Sequence, residues 1–187
     1  MKIGVISRKG GVGKTPIALS LAIDLDYFFI TNDMGIATAV FPDRSKYMET
    51  PAVLENTIYD FGGFVSAGVI DIIKECNLVI IPVINDDDAF VKTILTINEI
   101  RQHAKKIIIV ATRTEKGDFE IIKDEVSKHF DGLTYFELKR SKIFKKVTSK
   151  GRSLLQSYNR GPLSKHSYRN VIAQYKDLLS YIKESSK

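Results

Sequence analysis

The chain has 187 residues, 44% of them hydrophobic and 27% charged, which suits one globular domain over residues 1–187 with a central sheet covered on both faces. Its one cysteine, Cys76, excludes a disulfide framework and a cysteine-based zinc site, and His103, His129 and His166 stand apart without metal-ligand spacing. The net charge of +6 is unevenly spread: residues 139–187 hold 13 Lys/Arg against 2 Asp/Glu, and the rest hold 15 against 20.

A basic segment on a folded domain attracts nucleic acid or an anionic membrane, and a merely solvated surface is the alternative. Met1 leads straight into a strand-like run, so no secretory leader is expected. No apolar run approaches membrane-spanning length. Together with the single cysteine this places the chain in the cytoplasm.

Apolar runs alternate with helical periodicity along the chain, which predicts a mostly parallel sheet with crossover helices, an α/β class with three layers. Strands are expected over residues 2–7 and 27–31. Between them a helix begins near Lys14, where Pro16 is tolerable because a first-turn N–H has no helical partner. Residues 32–56 carry no readable pattern. A strand over 57–60 precedes a helix over 64–75 with Val65, Val69, Ile72 and Ile73 on one face. The run from Leu78 to Ile84 reads as a strand buried on both faces, with Pro82 near its end or at a point needing no donor. The acidic triplet Asp86-Asp87-Asp88 reads as the cap of a helix over 89–103, with a metal site as the weaker alternative. A strand over 106–111, a helix over 118–130 and a strand over 133–138 follow. The last helix, over 168–184, aligns Val171, Ile172, Tyr175, Leu178, Leu179 and Ile182 in a stripe suited to docking on the sheet.

The chemistry concentrates at Lys9-Gly10-Gly11-Val12-Gly13-Lys14-Thr15. Strand, glycine-rich turn, Gly-Lys-Thr and helix form the context of a phosphate loop: backbone N–H groups face the anion, Lys14 meets the terminal phosphates, and the Thr15 hydroxyl ligates Mg²⁺. Arg8 stands where the usual pattern has its first glycine, and Lys9 is an additional lysine. At the end of the run Thr57-Ile58-Tyr59, Asp60 is followed by Phe61-Gly62-Gly63, the arrangement of a Mg²⁺-holding carboxylate with the Gly62 amide in reach of a γ-phosphate. A turn role is the alternative for Asp60. Asp33 closes Thr31-Asn32-Asp33 at another strand end, where a turn aspartate is again the alternative.

The order Lys-Gly-Gly-x-Gly-Lys-Thr resembles the deviant phosphate loop of the ParA/MinD family of P-loop ATPases. Weaker likenesses, at Cys76–Val83, Lys106–Arg113 and Leu138–Leu154, extend it over nearly the whole chain. The resemblance implies ATP and Mg²⁺, and a face-to-face homodimer in which Lys9 reaches the partner's nucleotide. It also implies a hydrolytic role for Asp33. Lys9, Lys14 and Asp33 are then the catalytic candidates; Lys9 through Pro16, with Gly62, line the nucleotide; Thr15 and Asp60 hold the metal.

Among relatives of the ParA type, the resemblance further implies nonspecific DNA binding and a small DNA-binding adaptor protein. Candidates for the DNA contacts are Lys139, Arg140, Lys142, Lys145, Lys146, Lys150 and Arg152, and Arg113 is a candidate on the base side. Two departures bear on turnover: Pro16 replaces a Thr whose hydroxyl meets the α-phosphate, and Thr31 replaces an acidic residue. The alternatives are a MinD-like ATPase cycling on a membrane, for which the C-terminal tail offers little apolar surface, and a nucleotide-dependent interaction module with little hydrolysis.

Overall fold

A computed structural model describes residues 1–33, 35, 37–63 and 67–185. Seven strands form one parallel sheet: β1 (Lys2–Val5), β2 (Phe28–Thr31), β3 (Ser45–Tyr47), β4 (Thr57–Asp60), β5 (Leu78–Val83), β6 (Ile107–Thr114) and β7 (Thr134–Lys139), in the order β3-β2-β4-β1-β5-β6-β7. The described helices are α1 (Lys14–Leu25), α2 (Ala37–Val40), α3 (Ala67–Glu75), α4 (Asp87–Ile100), α5 (Asp118–Ser127), α6 (Ile143–Lys150), α7 (Leu154–Tyr158) and α8 (Pro162–Glu184).

Period-two alternation divides the apolar strands between two cores. Ile58, Ile80 and Ile108 face one layer, with Ile17 and Leu21 of α1, Val147 of α6 and the stripe of α8. Their neighbours Tyr59, Ile81 and Ile109 face the other, with Ile72 and Ile73 of α3, Ile97 of α4 and Val126 of α5. The result is the three-layer α/β/α arrangement that the alternating pattern implied.

Several expected boundaries shift. The last helix begins six residues earlier than expected, at Pro162, whose missing N–H costs nothing in a first turn. Val65, assigned by periodicity to a helical face, lies outside the described residues. The opaque stretch 32–56 contains α2, a 3-10 turn at Pro42–Arg44 and the edge strand β3. Pro82 is the last residue but one of a central strand, near its end as expected, and alternation explains why it is tolerated. Val79 N–H donates to the carbonyl of Lys106, the residue before β6, so the amide of residue 82 would face the β1 side. There the last bond from the first strand's side is Ile6 N–H to the Ile80 carbonyl, and the chain has already turned into the glycine loop.

Polar ties brace α1 from behind. The Leu154 N–H donates to Ser20 Oγ at 3.3 Å, and the Tyr175 hydroxyl donates to Asp24 Oδ2 at 2.9 Å. Burial raises the Asp24 carboxyl above its usual 3.8, against the opposing effect of bonds from Ser153, Tyr175 and the Leu155 amide. A raised carboxyl loses its contribution to stability as pH climbs from the unfolded value through the folded one. Removing a donor widens that window. Tyr175→Phe should therefore cost about 1–2 kcal/mol at pH 7 and less as the pH is lowered and Asp24 takes up a proton, as read from denaturant unfolding across that range.

Candidate nucleotide site

Because all strands run parallel, the residues leaving β1, β2, β4, β5 and β6 gather at one rim of the sheet. β1 leads through Ser7 and Arg8 into the glycine loop, which ends at α1. Gly11 (φ 75°) and Gly13 (φ 92°) occupy left-handed conformations, and a methyl group on either would meet no atom within 4 Å. The loop thus encloses open space that only glycine backbone can line. Gly13 is the N-cap of α1, with no side chain capping it and no acidic residue in the first turn. The first intrahelical bond runs from Ile17 N–H to the Gly13 carbonyl, so the Pro16 ring displaces no helical bond. The exposed N–H groups of this first turn keep the positive end of the helix dipole unneutralised.

Arg8 does not adopt a positive φ, which explains why glycine is dispensable there. Its guanidinium reaches Glu99 of α4 at 2.6 Å, and its amide donates to Thr96 Oγ1 at 3.4 Å. On the other flank the Thr112 hydroxyl of β6 donates to the Val12 carbonyl at 2.7 Å. The loop is therefore pinned at both sides of its open centre.

Thr15 Oγ1 donates to Asp60 Oδ2 at 2.6 Å, joining the two residues expected to share a metal. Asp60 is buried, and its other oxygen, Oδ1, has no hydrogen-bond partner in the protein. Burial pushes its carboxyl up to about 6, although the Thr15 hydroxyl and the Lys14 charge pull the other way. A buried carboxylate oxygen without a donor is costly unless a cation or its water meets it, so this pair fits Mg²⁺. Lys14 Nζ donates to the Lys9 carbonyl at 3.4 Å, and burial lowers its pKa against the attraction of Asp60 and Asp33. Asp33 is exposed, two residues past β2, with its N–H on Thr31 Oγ1 at 3.1 Å. Gly62 lies beside it, its N–H donating to Asn32 Oδ1 at 2.6 Å.

Lys9 does not point into the loop. Its ammonium lies 2.7 Å from Asp88 Oδ2 and 3.0 Å from Asp86 Oδ1. These two bonds, that to Asp88 first, raise the Lys9 pKa, and both aspartates are held below the usual carboxylate range chiefly by Lys9. Asp86 also caps α4, accepting from Ala89 N–H at 2.9 Å, as the helix-cap reading required. The ion pairing was missed because the partners lie far apart in sequence and the cap explained the acidic triplet by itself.

Among the basic candidates, Arg140, Lys142 and Lys145 line a recess of about 670 Å³ with Arg113, Ser141 and Phe144. Arg113 and Phe144 also border a smaller hollow against Val12, Gly13 and Pro16. Lys146 packs over the Tyr168 ring at 4.8 Å, while Lys139 and Lys150 are exposed and Arg152 is half-buried. The candidates thus divide between the recess lined by Arg140, Lys142 and Lys145 and positions outside it, at the end of β7, along α6 and just past it.

No family model matches the chain, and no curated protein matches it. Solved structures do. Apo McdA from Cyanothece aligns with a TM-score of 0.72 at 14% identity, over 100% of this chain and 99% of that one. MinD from Pyrococcus horikoshii, complexed with Mg-ADP, aligns at 0.62 and 10% identity over 89% and 92%. A ParA family ATPase from Chlorobium tepidum aligns at 0.59 and 15% identity over 88% and 94%. This chain has the ParA/MinD fold. The alignments span 88–100% of this chain and 92–99% of the other proteins.

Proposed function

We propose that the chain is a positioning ATPase of the ParA type. In this reading it binds Mg-ATP in the glycine loop, dimerises face to face, and binds DNA nonspecifically while dimeric. The observation that carries the reading is the juxtaposition at the loop: an open glycine cradle, Lys14, and the Thr15–Asp60 pair with its unmet Oδ1. The ParA/MinD fold and the presence of Lys9 before the double glycine support the same reading.

In this proposal the N–H groups of residues 10–15 and Lys14 hold the phosphates, and Thr15 with Asp60 holds Mg²⁺. Mg²⁺, when bound there, would neutralise phosphate charge. Asp33, exposed at the same rim, orients the attacking water. Lys9 completes the site of a second copy. Arg113 borders the base. Lys139, Lys146, Lys150 and Arg152, with the recess cations, meet DNA phosphates, and a small DNA-binding adaptor protein stimulates turnover. The location is cytoplasmic, on the nucleoid. Among the described residues no helix is long and apolar enough to cross a membrane.

Calorimetry with ATP, with and without Mg²⁺, tests the site, and DNA retention tests the output. Mg²⁺-dependent ATP binding and ATP-dependent DNA retention that falls steeply with salt are expected. DNA binding indifferent to both ATP and salt would overturn the reading as a ParA-type ATPase that partitions plasmid or chromosomal DNA. Liposome pelleting without DNA retention would transfer it to a membrane-cycling ATPase. Pro16→Thr should restore one phosphate hydrogen bond and tighten ATP by roughly fivefold to tenfold, about 1 kcal/mol, in the same calorimeter.

A further inference from the structure

β2 and β4 pair in parallel with Thr31 opposite Asp60, so the chain leaves both strands at the same level. Asn32 and Gly62 are therefore neighbours, and the Gly62 N–H donates to Asn32 Oδ1 at 2.6 Å. A methyl group on Gly62 would lie 3.4 Å from that oxygen and 3.7 Å from Asp33 Cβ. The Thr31 hydroxyl accepts the Asp33 N–H at 3.1 Å and so fixes the turn that aims Asn32 at β4.

An amide N–H carries one hydrogen. While Asn32 accepts it, a phosphate oxygen cannot receive it at full strength. A charged phosphate oxygen is the stronger acceptor and displaces the carboxamide when it is present. A nucleoside diphosphate has no γ-phosphate and leaves the Asn32–Gly62 bond intact.

We infer that Asn32 is a positioning residue that sets the preference between nucleoside triphosphate and diphosphate, by occupying the Gly62 N–H until a γ-phosphate takes it. This rests on the proposed function, which puts Gly62 beside the γ-phosphate. Displacement also frees Asn32 within the turn that carries Asp33. The arrival of the third phosphate is thereby passed to the residue proposed to orient water. Nothing in the spacing of Thr31-Asn32-Asp33 reveals this, because the contact crosses from one strand end to another.

The test is isothermal calorimetry on the full chain with Mg-ADP and with a Mg-bound, non-hydrolysable ATP analogue. The readout is the ratio of the two affinities in wild type, Asn32→Ala and Asn32→Asp. Asn32→Ala removes the competitor, so the ratio should move toward the triphosphate by about fivefold to tenfold, with ADP affinity within twofold. Asn32→Asp keeps the shape and places a negative charge beside the γ-phosphate, so the ratio should move the other way by tenfold or more. It also serves if the alanine variant fails to fold. A merely structural Asn32 would weaken both nucleotides together. Ratios unchanged in the variants that fold, with both nucleotides bound, would overturn the inference. If the wild type binds neither nucleotide, the proposed function falls first and this inference with it.

Discussion

Lys9→Ala should elute as a monomer in Mg-ATP under conditions where the wild type elutes as a dimer, with ATP affinity of the monomer changed by less than a few-fold. In the isolated chain Lys9 is engaged away from the loop centre. Its ammonium is held by Asp86 and Asp88 at the start of α4, outside the glycine cradle, whereas Lys14 lies inside it. Removing Lys9 therefore takes nothing from the chain's own phosphate site. It takes away only what a second copy would receive. Size-exclusion chromatography with light scattering reads the oligomer, and calorimetry on the same samples reads the affinity.

The position of Lys9 adds a finer expectation. To serve a partner's phosphates, Lys9 must leave or share its two carboxylates. Both pairs are solvent-exposed, and exposed pairs restrain weakly. Asp88→Asn should accordingly lower the ATP concentration needed for dimerisation by only a few-fold. A wild type that stays monomeric in saturating Mg-ATP would remove the shared-site mechanism altogether.

The second large effect is expected in stability. Gly151 ends α6 at φ 57°, and a methyl group on it would sit 2.0 Å from the Val40 carbonyl oxygen at the end of α2. Gly151→Ala combines left-handed strain, about 1–3 kcal/mol, with overpacking against backbone that has little room to yield, another 1–3 kcal/mol or so. A fall in Tm of roughly 5–15 °C follows for a domain of this size. Gly132→Ala is the internal control. Gly132 also has a positive φ, 74°, but open space around it, so it should lose only the conformational part. Equal losses in the two variants would show that the α2–α6 contact is not close.

How far the sequence could be read depends on where each signal is stored. Strands buried on both faces, such as Leu78–Val83, declare themselves as apolar runs, because no solvent-facing position interrupts them. The cradle is equally legible, since glycines are needed at Gly11 and Gly13 for conformations other residues avoid. Asp60 could be placed because a strand end and a glycine pair bracket it. β3 could not be read: Ser45, Lys46 and Tyr47 lie on the sheet edge, where few positions need be apolar. The helices α6 and α7 were also missed. Each is short, and in α6 only Ile143 and Val147 are buried, too few for a periodic signal. The contacts that give the rim its character, Lys9 with Asp86 and Asp88, and Asn32 with Gly62, join residues distant in sequence and exist only once the strands are in order.

The strand order also carries a consequence for how the molecule is made. β1 is flanked by β4 and β5, so its partners begin at Thr57 and Leu78. β1 is synthesised before both neighbours and waits for them, and the loop that follows it waits as well. Closing such long segments is entropically costly and slow, and the unpaired edge of β1 is open to other chains meanwhile. The α8 stripe, which shares a core with α1, follows all seven strands in the chain. The glycine loop, synthesised before β4 and β5, thus becomes a binding surface only after they are in place. A nascent chain would have no nucleotide to steady it during the interval in which it is most prone to aggregate.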